Sequence, residues 1–281
     1  MKQAFLNLDG LKIRYLEAGN NVLDNARSNN TTEVQNVLFI HGLGSSADRW
    51  LDIPDALSLS GLHTVAPDLP GFGLSDKPSE FDYTIKEFAK FIAGFMRKAG
   101  ITRASIVGHS LGGYIAAQLT TDYHDLVNKL VLIDSSGMLD GPTPLLRQYL
   151  QAAMNPTKQA VRIVFEQMVA DPIRIADVLV DGFIYRINQP GAKHAFKSAF
   201  ENSVYTQIGT DKLKQIGESK IPTMIIWGMK DNLIPIKYFK IFEAISGSQT
   251  FLVEDAGHAP FAEKPAIISE ILRQFLTNKA R

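Results

Sequence analysis

The chain has no cysteine in its 281 residues. That excludes disulfides, thiolate metal sites and a cysteine nucleophile, and leaves the compartment open. Net charge is also missing, since 29 basic residues balance 29 acidic ones and no basic run stands out. Neither nucleic acid nor an anionic membrane surface is an expected partner of such a chain. No stretch approaches the ~18 consecutive apolar residues of a membrane span. The N-terminus, Met1-Lys2-Gln3-Ala4-Phe5-Leu6-Asn7-Leu8-Asp9, turns polar too early for the apolar core of a signal peptide. Internal repeats and low-complexity tracts are absent too. The expectation is a cytoplasmic protein with no integral membrane segment.

Hydrophobic residues at 45% and charged residues at 21% describe an ordinary globular protein with ample material for a core. The length suits one large domain with an insertion as well as two domains. Ala4 to Leu8 and Leu11 to Glu17 alternate apolar and polar around Asp9-Gly10, which predicts an antiparallel hairpin. Asn20 to Glu33 is rich in Asn, Ser and Thr and reads as a long surface loop.

Strand patterns then appear at Val37 to Ile40, which is fully apolar as in a strand buried on both faces of a sheet, and at His63 to Ala66, Ser105 to Val107, Lys129 to Ile133, Pro222 to Trp227 and Thr250 to Val253. Helical patterns over Ala47–Leu59, Tyr83–Lys98, Tyr114–Leu119, Ile236–Ile245 and Ala266–Leu276 separate them. The fold class is therefore α/β, with a mostly parallel central sheet and helices on both faces. Between Gly137 and Gln207 the strands stop. Four helical segments (Leu145–Met154, Lys158–Val169, Ile173–Ile187, Ala192–Val204) suggest a helical lid at 137–207, inserted into a core domain of 1–136 and 208–281.

One motif organises the chemistry. Val107-Gly108-His109-Ser110-Leu111-Gly112-Gly113 follows an apolar strand and precedes a helix-forming run. Strand, tight turn and helix is the context that makes G-x-S-x-G a nucleophile elbow. Gly108 and Gly112 suit places where strand and helix approach too closely for side chains. A serine hydroxyl needs a base, and the base needs an orienting carboxylate. Of six histidines, His258 stands apart, in Ala256-Gly257-His258-Ala259-Pro260 just past the last strand. That is the sheet edge where α/β folds place their sites. His41 reads as a brace for its loop and His109 as a packing residue. Asp231, in Gly228-Met229-Lys230-Asp231, follows the preceding strand and is the expected acid, with Asp134 and Asp255 as rivals. For the tetrahedral oxyanion the expected donors are the backbone N–H groups of Leu111 and Leu43, worth roughly 3 kcal/mol each.

The stretches His41-Gly42-Leu43-Gly44, Asp68-Leu69-Pro70-Gly71-Phe72-Gly73, Gly108-His109-Ser110-Leu111-Gly112, Gly228-Met229-Lys230-Asp231 and Gly257-His258 together resemble the α/β-hydrolase superfamily, in its lid-bearing esterase and monoacylglycerol-lipase-like branch. The resemblance implies a serine hydrolase with Ser110, Asp231 and His258 as triad. It further implies an acyl-enzyme on a short- to medium-chain ester or a monoacylglycerol, and neither metal nor cofactor. Serine at the elbow speaks against epoxide hydrolases and haloalkane dehalogenases, which carry aspartate there. Ala259, where C–C hydrolases of the meta-cleavage-product type usually carry tryptophan, lowers that alternative and leaves it open. Such an enzyme would want a cation for its substrate carboxylate, and Arg147, Arg162, Arg174 and Arg186 are on offer. A non-catalytic receptor or scaffold is the third reading. Met154, Phe165, Phe183, Tyr185 and Phe200 are the expected acyl-pocket residues.

Overall fold

The computed structural model describes residues 1–19, 35–50, 52–172 and 175–278. The loop expected at Asn20–Glu33, and Arg174, lie outside them. Among the described residues, eight strands form one sheet in the order β1-β2-β4-β3-β5-β6-β7-β8. They are β1 (Lys2–Leu8), β2 (Leu11–Ala18), β3 (Asn36–Ile40), β4 (His63–Pro67), β5 (Ala104–His109), β6 (Val127–Ile133), β7 (Thr223–Gly228) and β8 (Gln249–Val253). β1 and β2 form the predicted hairpin, and β2 pairs antiparallel with β4. Every other neighbouring pair is parallel.

The central strands are largely apolar because both faces are covered. Successive side chains point to opposite faces. Leu38, Ile40, Ile106, Leu130, Leu132, Ile225 and Trp227 join one core cluster. Val37, Phe39, Val107, Val131, Ile133, Met224 and Ile226 join the other. The second cluster is closed by α1 (Asp52–Ser58) and, at the end of the chain, by a long helix over Pro265–Thr277. The first is closed by α2 (Ile85–Lys98) and α3 (Leu111–Asp122). α2 opens on an N-cap, with Thr84 Oγ1 accepting the Glu87 N–H at 3.3 Å.

After β6 come α4 (Pro144–Met154), α5 (Lys158–Met168), α6 (Asp177–Ile187) and α7 (Ala192–Val204). Their apolar faces continue the first core cluster. The ends of this segment meet, as the Ile208 N–H donates to Gly137 O at 2.9 Å. Next are α8 (Thr210–Glu218), α9 (Phe239–Phe242), α10 (Pro260–Glu263) and α11 (Pro265–Thr277).

Some elements depart from the sequence pattern. The helix expected over Ala47–Leu59 is a 3-10 turn at Ala47–Trp50 followed by α1. Pro54 is the reason: without an N–H it fits only the first turn of a helix, so α1 must begin close before it. The pattern over Ile236–Ile245 is a 3-10 turn at Ile236–Tyr238 and the single turn of α9. α8 gave no sequence signal because it is largely polar and buries only Leu213 and Ile216.

Candidate active site

The loops after β3, β5, β6, β7 and β8 all open at one edge of the sheet, where their strands are in parallel register. Ser110 sits between β5 and α3 with φ 55° and ψ −118°, a left-handed conformation rare for a residue with a side chain. Its turn is held by Ser110 N–H donating to Ile133 O at 3.0 Å and by Ser136 N–H donating to Ser110 O at 3.1 Å. The flanking glycines are required by close approach. A Cβ on Gly108 would lie 2.2 Å from Gly112 O, and one on Gly112 would lie 2.1 Å from Ile40 O. α3 can press against the strand ends only because neither side chain exists.

His258 and Asp231 meet across the ends of β8 and β7. His258 Nδ1 lies 2.7 Å from Asp231 Oδ2, and both side chains are buried. Asp231 Oδ1 accepts the N–H groups of Leu233 and Ile234 at 2.8 and 2.9 Å. Three N–H donors thus converge on its two oxygens. Because Nδ1 donates to it, a neutral His258 keeps a lone pair on Nε2, the form a general base needs. Ser110 and His258 line the same cavity, and no hydrogen bond joins their side chains in this unliganded geometry. Such bonds commonly tighten only in the substrate complex. Asp255 lies elsewhere, exposed and paired with Lys230 at 2.9 Å. Asp134 lies beside the pair: one oxygen of each aspartate and one ring nitrogen of His258 fall within 4.8 Å of one another. That spacing resembles a metal site, but a cation there would have to break the His258–Asp231 bond.

Several residues brace this arrangement. His109 Nε2 donates to the His258 carbonyl at 2.6 Å. Burial, and then the neighbouring His258, hold His109 well below the usual histidine range, so it stays neutral. Expected to be a packing residue, it ties the Ser110 turn to the His258 loop. Glu263 was not singled out in the sequence. Its Oε1 accepts from Gly257 N–H at 2.9 Å and Ala259 N–H at 3.3 Å, on either side of His258. Its Oε2 accepts from Ala170 N–H at 2.7 Å, just past α5. The His258 N–H donates to Met168 O at 2.7 Å, so the segment after α5 lies directly on the histidine loop. A carboxylate five residues beyond the histidine, at a helix start, was the only hint the sequence held.

The loop after β3 carries Leu43. His41 Nε2 accepts the Leu69 N–H at 3.0 Å, so its Nδ1 donates to Gly42 O at 2.8 Å. His41 therefore braces this loop, and burial holds it below the usual histidine range. Tyr149 of α4 donates its hydroxyl to Leu43 O at 3.0 Å. Gly44, with φ +68°, makes room for that contact, since a Cβ there would lie 2.4 Å from the Tyr149 hydroxyl. Leu43 and Leu111 both line the cavity, and neither N–H donates to a described residue.

The cavity encloses about 980 Å³, counting its open mouth. Ser110, His258, Leu139, Leu146, Tyr149, Met168 and Leu233 contribute to its wall. Of the expected acyl-pocket residues, Phe165 lines it. Phe183 and Phe200 do not line it and are core residues, 2% and 1% exposed. Their rings are spent on packing the helical segment. Met154 also lies outside the cavity wall, partly buried against the core at the end of α4. Tyr185 is 63% exposed on the outer side of α6. Helical spacing gave all five positions a buried or aromatic character, but not which neighbour each would face.

Two cations line the wall as well. Arg49 and Arg186 both border the cavity, and burial lowers both below the usual arginine value. Neither guanidinium has an ion pair or hydrogen bond to a described residue, and Arg186 Nε is buried without a partner. Of the other arginines considered, Arg162 is paired with Asp177 and Glu166, and Arg147 does not line the cavity.

Known proteins of more than one activity resemble this chain. Lipase 3 of Moraxella sp. (strain TA144) is 29% identical over 238 residues, 81% of this chain and 72% of that protein. The 2-hydroxy-6-oxo-6-(2'-aminophenyl)hexa-2,4-dienoic acid hydrolase of Metapseudomonas resinovorans is 24% identical over 283 residues, 99% and 92% of the two chains. Among solved structures, the meta-cleavage product hydrolase of Pseudomonas fluorescens IP01 superposes with a TM-score of 0.82 at 24% identity, covering 97% of this chain and 96% of that one. The family model described as alpha/beta hydrolase fold matches residues 35–188, more than half of the chain, and the protein belongs to that family.

Proposed function

We propose that this hydrolase cleaves carboxylic esters through an acyl-enzyme, with Ser110 as nucleophile, His258 as general base and Asp231 as the orienting acid. The observation that carries the reading is the 2.7 Å His258–Asp231 bond at the wall of the cavity that Ser110 also enters. Ser110 Oγ attacks the ester carbonyl as its proton passes to His258 Nε2. The N–H groups of Leu43 and Leu111 take the oxyanion, and the N-terminal end of α3 favours the negative charge. His258 then gives the proton to the leaving alcohol. Water, deprotonated by the same nitrogen, releases the acid. Asp231 stabilises the imidazolium and keeps no proton. No step needs a metal or cofactor. In this reading the segment 137–207 is a lid, and the apolar wall of Leu139, Leu146, Phe165 and Met168 suits a short- to medium-chain acyl group or a monoacylglycerol. Its likeness to Moraxella lipase 3 supports an ester substrate.

A second reading has an observation of its own. Arg49 and Arg186 are partly buried cations on the cavity wall, and neither forms an ion pair or hydrogen bond with a described residue. They favour a substrate that carries a carboxylate, as a C–C hydrolase acting on a dienoic acid would require. A p-nitrophenyl ester series from acetate to palmitate, run beside a chromogenic dienoate with Ser110→Ala as control, separates the two. Ester activity peaking at one chain length and lost in the variant supports the esterase. Turnover of the dienoate alone replaces it with the C–C reading. Failure of a fluorophosphonate to label Ser110 leaves only the scaffold.

A further inference from the structure

The loop after β6 holds a buried carboxyl that the reaction above does not use. Asp134 is fully buried; its Oδ1 accepts the Gly228 N–H at 2.9 Å, and no donor reaches its Oδ2. Its backbone sits at φ 43°, another left-handed residue that is not glycine. One of its oxygens lies within 4.8 Å of an Asp231 oxygen and of a His258 ring nitrogen.

Two carboxyls this close, away from water, do not both ionise. The donors around them decide which keeps its charge. Asp231 accepts from Leu233 N–H, Ile234 N–H and His258 Nδ1–H, whereas Asp134 accepts from Gly228 N–H alone. The proton therefore belongs on Asp134. Burial pushes this carboxyl well above the usual carboxylate range, and the charge of Asp231 pushes it further. Asp231 also lies within hydrogen-bonding reach of it.

We propose that Asp134 is a positioning residue: a neutral carboxylic acid whose Oδ2–H hydrogen-bonds the Asp231 carboxylate and fixes the acceptor that orients His258. The orphaned oxygen thereby becomes a donor, and no buried polar atom of the cluster is left unmatched. The bond also draws charge from Asp231, which weakens its pull on the His258 imidazolium. The inference rests on the reading of Asp231 as the orienting acid. The groups facing Asp134 are Asp231 after β7, His258 after β8 and, through its charge, Glu263 of α10.

The test is the pH dependence of Ser110 labelling by a fluorophosphonate, which needs no knowledge of the substrate. Asp134→Asn keeps an acceptor for Gly228 and an N–H donor for Asp231. It should label within about 3-fold of wild type with the acidic limb of the profile in place. Asp134→Ala removes the donor and should label about 10-fold more slowly, with the limb shifted to higher pH. An Asn variant that behaves like the Ala variant overturns the proposal. So does an Ala variant that loses stability while its limb stays put. Should the Ala variant fail to fold, infrared spectroscopy decides. Wild type at neutral pH should show the carbonyl band of a protonated carboxylic acid that Asp134→Asn lacks, and a wild type without it refutes the proposal. If wild type is not labelled at all, the serine-hydrolase reading falls, while the infrared band still reports on Asp134.

Discussion

Replacing Gly112 by alanine should damage this protein out of proportion to the single methyl group added. The new Cβ would lie 2.1 Å from Ile40 O, 2.6 Å from the Ile40 carbonyl carbon and 2.7 Å from His41 O. All three atoms are backbone, at the end of β3 where Ile40 pairs with Gly108 of β5 and in the residue just after it, so no side chain can swing away. α3 must lift off the end of β3 by about an ångström. Overpacking of this kind costs roughly 1–3 kcal/mol, and more where backbone has to move. For a chain of this size each kcal/mol lowers the unfolding midpoint by about 2–4 °C. The rate should suffer more than the stability, because α3 carries Ser110 and the Leu111 N–H, and a 1 Å misplacement costs about 10²-fold. Gly94→Ala supplies the control. Its Cβ would meet only Leu8 methyls at 3.5 and 3.7 Å, inside a regular helix. Alanine there should stabilise by roughly 0.5–1 kcal/mol. Thermal unfolding and fluorophosphonate labelling of both variants give the comparison. Wild-type labelling and an unchanged midpoint in Gly112→Ala would refute the claim that the elbow depends on this close approach.

Asp231→Asn should lower the labelling rate by about 10³–10⁴-fold with little change in fold, because the amide no longer holds His258 in the right tautomer; circular dichroism and labelling kinetics check both halves. Arg186→Met should raise KM for a carboxylate-bearing substrate while leaving the unfolding midpoint unchanged or higher, since a partly buried cation without an ion pair to a described residue is removed. Equal effects on neutral and anionic substrates would remove the case for an anion site. His41 and His109 are both held below the usual histidine range, so the unfolded chain binds more protons than the fold once the pH drops below about 6.5. Their contribution is complete above that pH and is lost below it, by up to about 1.4 kcal/mol per pH unit for each group. Urea unfolding of wild type and His109→Gln between pH 7 and 5 should show a shallower loss in the variant.

The sequence alone determined a mostly parallel sheet, the succession of its strands along the chain and the candidate residues at its edge. Runs such as Val37–Ile40 and Leu130–Ile133 are apolar at every step, and only a strand covered on both faces requires that. The elbow was equally legible, because Gly108 and Gly112 mark backbone contacts that tolerate no side chain. His258 and Asp231 could be named from their places just after successive strands, where a parallel sheet gathers its loop ends. The tertiary structure decided what depends on direction rather than periodicity. Phe165 and Phe183 share the same helical spacing, yet one faces the cavity and the other the packed centre of the helical segment. Glu263 gained its role from backbone donors at Gly257 and Ala170, and the second of these is distant in the chain. Asp134 looked like a rival to Asp231, and only their closeness in space revealed two carboxyls that must share one charge. Spacing along a chain fixes which face of an element a side chain occupies; what stands opposite that face is set by the packing of distant elements, which local sequence does not record.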